Sequence, residues 1–101
     1  MTQQEIITNL TEKYLPHIIN LRRTIHKHPE LSNEEQDTAA LLASELKALG
    51  FDVRENIAGG YGVSALLKGN HPGPTVALRT DMDALAVQED TGLSFASETE
   101  G

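Results

Sequence analysis

Apolar side chains at Ile7, Leu10, Tyr14, Ile18, Leu21 and Ile25 recur at spacings of three and four, which lays them along one face of a helix over residues 3 to 28. That face is expected to be core. Pro16 falls inside the pattern, removing one backbone donor and crowding the preceding turn, so a kink near Lys13 or two helices joined there is expected. Pro29 pushes His28 out of the α region and closes this segment. Ser32 and Glu35 then have the spacing of a capping box, which predicts a second helix from Asn33. Its apolar stripe is Leu42, Leu46 and Leu49, with Thr38, Ala39 and Leu41 beside it, and Gly50 is placed to end it as the left-handed residue.

Beyond Gly50 the period changes from helical to alternating. Phe51 to Glu55 reads as a short edge strand, Gly59-Gly60 as a turn, and Gly62 to Lys68 as a second strand. The run Gly69-Asn70-His71-Pro72-Gly73-Pro74 is dense in turn formers and predicts a surface connection. Thr75 to Thr80 is then expected as a buried third strand, antiparallel to the second, delivering Asp81 and Asp83 at its C-terminal end. Residues 86 to 101 lose periodicity, and the isolated Leu93 and Phe95 cannot close a core alone. The expected class is α/β, with two N-terminal helices packed on a mixed sheet. The missing finishing element suggests the front part of a longer protein.

At 101 residues, one core is the most to expect, since a domain this small buries only about two-thirds of its unfolded surface. With 39% apolar and 23% charged residues the chain lies near globular norms, which argues against disorder. The formal net charge of −7, with Lys and Arg scattered, argues against nucleic acid as a partner. No basic segment followed by an apolar block opens the chain, and no apolar run approaches the roughly 20 residues of a membrane helix, so no membrane partner and a cytoplasmic location are expected. The absence of cysteine removes disulfides, thiolate metal sites and a Cys nucleophile.

Candidate chemistry centres on Asp81-Met82-Asp83. Two carboxylates at a strand end can take a hard cation, or one can orient a metal-bound His from behind. The bland alternative is that one caps a turn while the other is solvated. Arg22 and Arg23 are read as a solvated helix face in preference to an anion site. His26 and His28 are two residues apart and cannot form the i, i+4 pair of a zinc helix. His17 and His71 are assigned no role. Neither a G-x-S-x-G nucleophile turn nor a phosphate-binding glycine loop occurs.

Two strings, L-R-R-T-I-H-K-H-P-E-L-S-N-E-E from Leu21 to Glu35 and A-L-R-T-D-M-D-A-L from Ala77 to Leu85, resemble the N-terminal part of a family of metal-dependent amidohydrolases. That family includes hippurate hydrolase, N-acyl-amino-acid hydrolases and auxin-conjugate hydrolases. The resemblance continues through Glu89-Asp90-Thr91-Gly92-Leu93 to Glu100-Gly101. It implies that residues 1–101 are the incomplete N-terminal part of a zinc-peptidase-like catalytic domain, lacking the lid and dimerisation domain of an enzyme roughly three to four times as long. It also implies a small-molecule amide substrate, a homo-oligomeric full-length form, and two divalent ions (zinc, manganese, cobalt or nickel) that this fragment is not expected to bind tightly.

The principal ligands implied by the resemblance belong to an H-x-C-G-H-D string beyond Gly101 and to later Glu and His residues, so no metal ligand is assigned with certainty within the chain. Asp83 matches the motif aspartate that belongs to the catalytic machinery and orients a metal ligand from behind. Asp81 matches a near-metal group that need not ligate, and Arg79 is a pairing partner for these acids. His26, Pro29, Glu30 and Ser32 match the family's early motif. Ala86 stands where the family usually has proline, which removes a constraint from the turn after Asp83.

The expected function is hydrolysis of the amide of an N-acyl amino acid or small peptide conjugate by a metal-activated water, with the fragment itself inactive. Two alternatives stand beside it. One is a haloacid-dehalogenase-like phosphohydrolase using Asp81 as nucleophile and Asp83 as acid/base with magnesium, although that class opens on its acidic strand. The other is a non-catalytic truncated remnant or interaction module.

Overall fold

The structure is a computed structural model that describes residues 1–100. Gly101, the last residue of the resemblance, lies outside the described residues. The element order is α1 (Gln3–Lys27), α2 (Gln36–Ala48), β1 (Asp52–Ile57) and β2 (Gly62–Leu66). These fall into two compact units, one made of Met1–His28 with the segment from Val87 onward, the other of Pro29–Ala86.

In the first unit α1 starts at Thr2, whose Oγ1 accepts from the Glu5 amide at 3.1 Å while the hydroxyl lies 3.1 Å from Glu5 Oε1. The helix runs unbroken through Pro16, so the expected division into two helices is not found. Proline deletes only one N–H from the ladder, and the turns on either side remain paired. The expectation that its apolar face is core is also corrected. No residue of α1 is buried, and Ile7, Leu10, Tyr14 and Ile18 stay about half exposed. Periodicity sets which side chains share a face, but a covering layer is what buries them, and the described residues provide none over this stripe.

In the second unit α2 begins three residues later than the capping box predicts. The Glu34 amide donates to the Leu31 carbonyl at 2.9 Å, closing a turn through Ser32 and Asn33, and Asn33 has φ 65°. Asparagine tolerates that left-handed position better than most residues. The turn takes Ser32 out of cap position, and Glu35, the actual N-cap, makes no side-chain cap bond. Glu30 does the capping instead. Its Oε1 accepts from the Thr38 amide and the Thr38 hydroxyl, each at 2.6 Å, and its Oε2 accepts from the Asp37 amide at 3.1 Å.

The far end of α2 matches expectation. Gly50, at φ 89°, donates to the Lys47 carbonyl, and the Phe51 amide donates to Leu46, which is the paired closure of a Schellman motif. The buried face of α2 is Thr38, Ala39 and Ala43, with Leu41, Leu42 and Leu46 half-buried; Leu49, expected in the core, is exposed.

This helix packs on the antiparallel hairpin β1–β2, whose register pairs Asp52 with Leu66, Val53 with Ala65 and Arg54 with Ser64. An irregularity follows before Ile57 meets Gly62. A Cβ on Gly62 would sit 3.1 Å from the Ile57 carbonyl oxygen, so the close approach favours glycine there. Lys47 Nζ lies 2.8 Å from Glu55 Oε2, joining helix to strand at the surface.

The helices and the α/β class are therefore as expected, on a sheet of two strands. The third strand is not. Residues 75 to 83 have no regular secondary structure, and Leu78 is 98% exposed. The run has a strand's composition, yet a strand exists only as part of a ladder, and β2 is paired with β1 alone. The stretch meets the rest of its unit just afterwards, at an isolated parallel bridge between Leu31 and Ala84.

Candidate functional site

Asp81 and Asp83 lie in this irregular stretch with both carboxylates exposed. Arg79 reaches Asp81, its Nη2 2.9 Å from Oδ1, with the two side chains 87% and 68% exposed. An ion pair so open contributes about 0–1 kcal/mol, and it orients Asp81 more than it stabilises the fold. The side chain of Asp83 makes no hydrogen bond or ion pair among the described residues. The structure thus brings Arg79 and Asp81 together as expected and leaves Asp83 open.

These groups do not form a metal centre by themselves. Zinc sites use three or four N, O or S ligands around one point. Among the described residues no three His, Cys, Asp or Glu side chains are so grouped, and one of the two carboxylates already faces a guanidinium.

A second cluster of titratable groups belongs to the first unit. His26 Nε2 lies 2.8 Å from Glu89 Oε1, which also accepts from the Ser97 amide at 2.9 Å, and the Thr91 hydroxyl donates to Glu89 Oε2. Phe95 meets the His26 ring edge-on with centroids 5.7 Å apart, and the Arg23 guanidinium sits 4.4 Å from the Phe95 centroid. Arg23, expected as part of a solvated face, is exposed but engaged with this ring. The Glu98 amide donates to the Lys27 carbonyl at 2.8 Å, and the Glu98 carboxylate lies 3.5 Å from His28. Together these contacts fasten residues 89 to 98 to the last turns of α1.

The Thr91 hydroxyl and the Ser97 amide hold the Glu89 carboxyl below the usual glutamate range; burial opposes them, and His26 assists. A depressed folded pKa favours the fastened state above the unfolded pKa, and that contribution fades as pH falls through the folded value. Wild type and Glu89→Gln should therefore differ in melting temperature at pH 7 and converge in acid. A difference that stays constant across that range would show that the Glu89 charge is not what fastens the segment. No sequence motif marks Glu89 for a role, because its His26 partner lies 63 residues away and its contacts to Thr91 and Ser97 match no recognised local spacing.

No protein-family model matches the chain. Individual relatives match along nearly all of it. Thermostable carboxypeptidase 1 of Saccharolobus solfataricus is 48% identical over 84 residues, covering 83% of this chain and 21% of that protein. The N-acyl-L-amino acid amidohydrolase of Geobacillus stearothermophilus is 39% identical over 101 residues, covering 100% of this chain and 27% of that protein. The crystal structure of Bacillus subtilis YXEP protein, a dinuclear metal binding peptidase from the M20 family, superposes with a TM-score of 0.81 at 38% identity over 89% of this chain. The chain belongs to this amidohydrolase and peptidase family.

It spans about a quarter of the length of the family members it matches. Its two helices and hairpin match the N-terminal part of an M20 peptidase domain. These M20 relatives give the haloacid-dehalogenase-like alternative no support. Among the described residues no helix is long and apolar enough to cross a membrane.

Proposed function

We propose that residues 1–101 form the N-terminal part of the catalytic domain of a metal-dependent amidohydrolase acting on the amide of an N-acyl amino acid or small peptide conjugate. The observation that carries this reading is the alignment of the whole chain with an N-acyl-L-amino acid amidohydrolase. In this reading Asp83 orients a metal ligand from behind, Asp81 stands near the metal, and Arg79 fixes Asp81. The two divalent ions take their principal ligands from outside these residues, so the chain's own part is to hold these carboxylates in place. The full-length protein is a cytoplasmic homo-oligomer with a small-molecule substrate.

The test is to assay a full-length protein carrying this stretch against N-acyl amino acids and phosphate esters, with and without added divalent ions. Amide hydrolysis that needs the metal is the expected result. Phosphate-ester hydrolysis with magnesium and no amidase activity would overturn the reading.

A further inference from the structure

Asp83 has no side-chain partner among the described residues, so its position is set by the backbone beside it. Immediately after it, the Ala84 amide donates to the Glu30 carbonyl at 2.8 Å, and Leu31 forms the parallel bridge with Ala84. The same Glu30 places its carboxylate on the first turn of α2, accepting from the Asp37 amide and from the amide and hydroxyl of Thr38. One residue thus grips a helix N-terminus with its side chain and the Asp-x-Asp segment with its main chain. Few alternatives exist for either grip. The helix end offers donors that need an acceptor, and Glu35 at the N-cap does not serve them.

We propose that Glu30 is the positioning residue for Asp83, transmitting the fixed N-terminus of α2 to the backbone that carries that carboxylate. The proposal rests on the reading of Asp83 given above. Negative charge is favoured at a helix N-terminus, and three charge-assisted hydrogen bonds make the carboxylate a stiff anchor. Pro29 fixes its own φ immediately before Glu30, which removes one rotation about which the anchored residue could swing. Releasing the carboxylate frees both. Burial raises the Glu30 pKa, but the Thr38 hydroxyl and the Thr38 and Asp37 amides outweigh it and leave the group below the usual glutamate range.

The test reads the Ala84 amide by NMR in the 101-residue chain bearing Leu10→Glu and Ile18→Glu, two changes in the other unit that suppress association through the α1 stripe. Its chemical shift should follow an acid titration with a midpoint below the ordinary glutamate range. That titration should persist in Asp83→Asn, which removes the neighbour's own charge, and vanish in Glu30→Gln. Thr38→Val, which deletes only the hydroxyl donor, should move the midpoint upward. Exchange protection of the Ala84 amide should fall roughly tenfold in Glu30→Gln, the scale of a lost helix cap. Leu46→Ala, which loosens α2 elsewhere, should lower protection along the helix and leave the Ala84 midpoint in place, which a merely structural role for Glu30 would not distinguish. An unprotected Ala84 amide in that parent chain, or a titration that survives Glu30→Gln, overturns the proposal. None of these readouts involves turnover, so the coupling can stand while an inert Asp83→Ala substitution removes the functional reading, and the reverse.

Discussion

In a full-length protein carrying this stretch, Asp83→Ala should lower metal-dependent amide hydrolysis by about 10–100-fold, the usual loss when a group orienting a metal ligand is removed. His28→Ala should change it little. The contrast follows from what each side chain touches. His28 meets Glu98 at 3.5 Å with both side chains more than 60% exposed, an interaction worth little in water. Asp83 is held through the neighbouring Ala84 backbone and its carboxylate is exposed. Metal content measured beside rate separates the outcomes: Asp83→Ala should weaken metal retention as well as turnover. Equal losses for the two substitutions would mean that Asp83 has no special place in the site.

The second large effect concerns the isolated chain, which should self-associate as concentration rises. Half-exposed Ile7, Leu10, Tyr14 and Ile18 form a continuous apolar stripe on α1, and Leu78 and Leu85 stand 98% and 84% exposed. Apolar surface of this extent is removed from water by whatever apolar surface is available, and in a purified sample that is another copy. Among the described residues, the backbone along 75 to 83 joins no strand ladder and the two-stranded sheet has both outer edges uncovered by a further strand, which adds pairing sites. Sedimentation velocity across a concentration series should show growing species, and Leu10→Glu combined with Ile18→Glu should reduce them. A monomer with one sharp, concentration-independent melt would refute the expectation.

How far the sequence foretold the structure depends on the range of the interaction involved. The helical stretches, the Gly50 closure and the hairpin follow from spacings within a few residues, and these were legible. The start of α2 was misplaced because two local devices compete for the same residues. Ser32 and Glu35 have capping-box spacing, but the turn closed at Glu34 and the left-handed Asn33 remove Ser32 from the cap, and a carboxylate five residues before the N-cap takes over. The strand expected over Thr75 to Thr80 failed for the opposite reason. Its composition is that of a strand, but strand formation depends on a neighbour, and pattern alone cannot supply one. The Arg79–Asp81 pair could be anticipated from proximity in sequence. The coupling of Glu30 to Ala84 could not, since it joins residues more than fifty apart through a main-chain bond that no side-chain motif announces.

The division of the chain into two units has a consequence for the order of assembly. Pro29–Ala86 is one uninterrupted segment, whereas the other unit joins the two ends of the chain. The first can form while the polypeptide is still being made, because α2 and its hairpin need only close neighbours. The second must wait for residues 89 to 98 and must close a loop of more than sixty residues, at an entropic cost that rises with the logarithm of loop length. The His26–Glu89 contact is thus placed after the Pro29–Ala86 unit in the order of folding, and α1 spends that interval with its final turns unfastened.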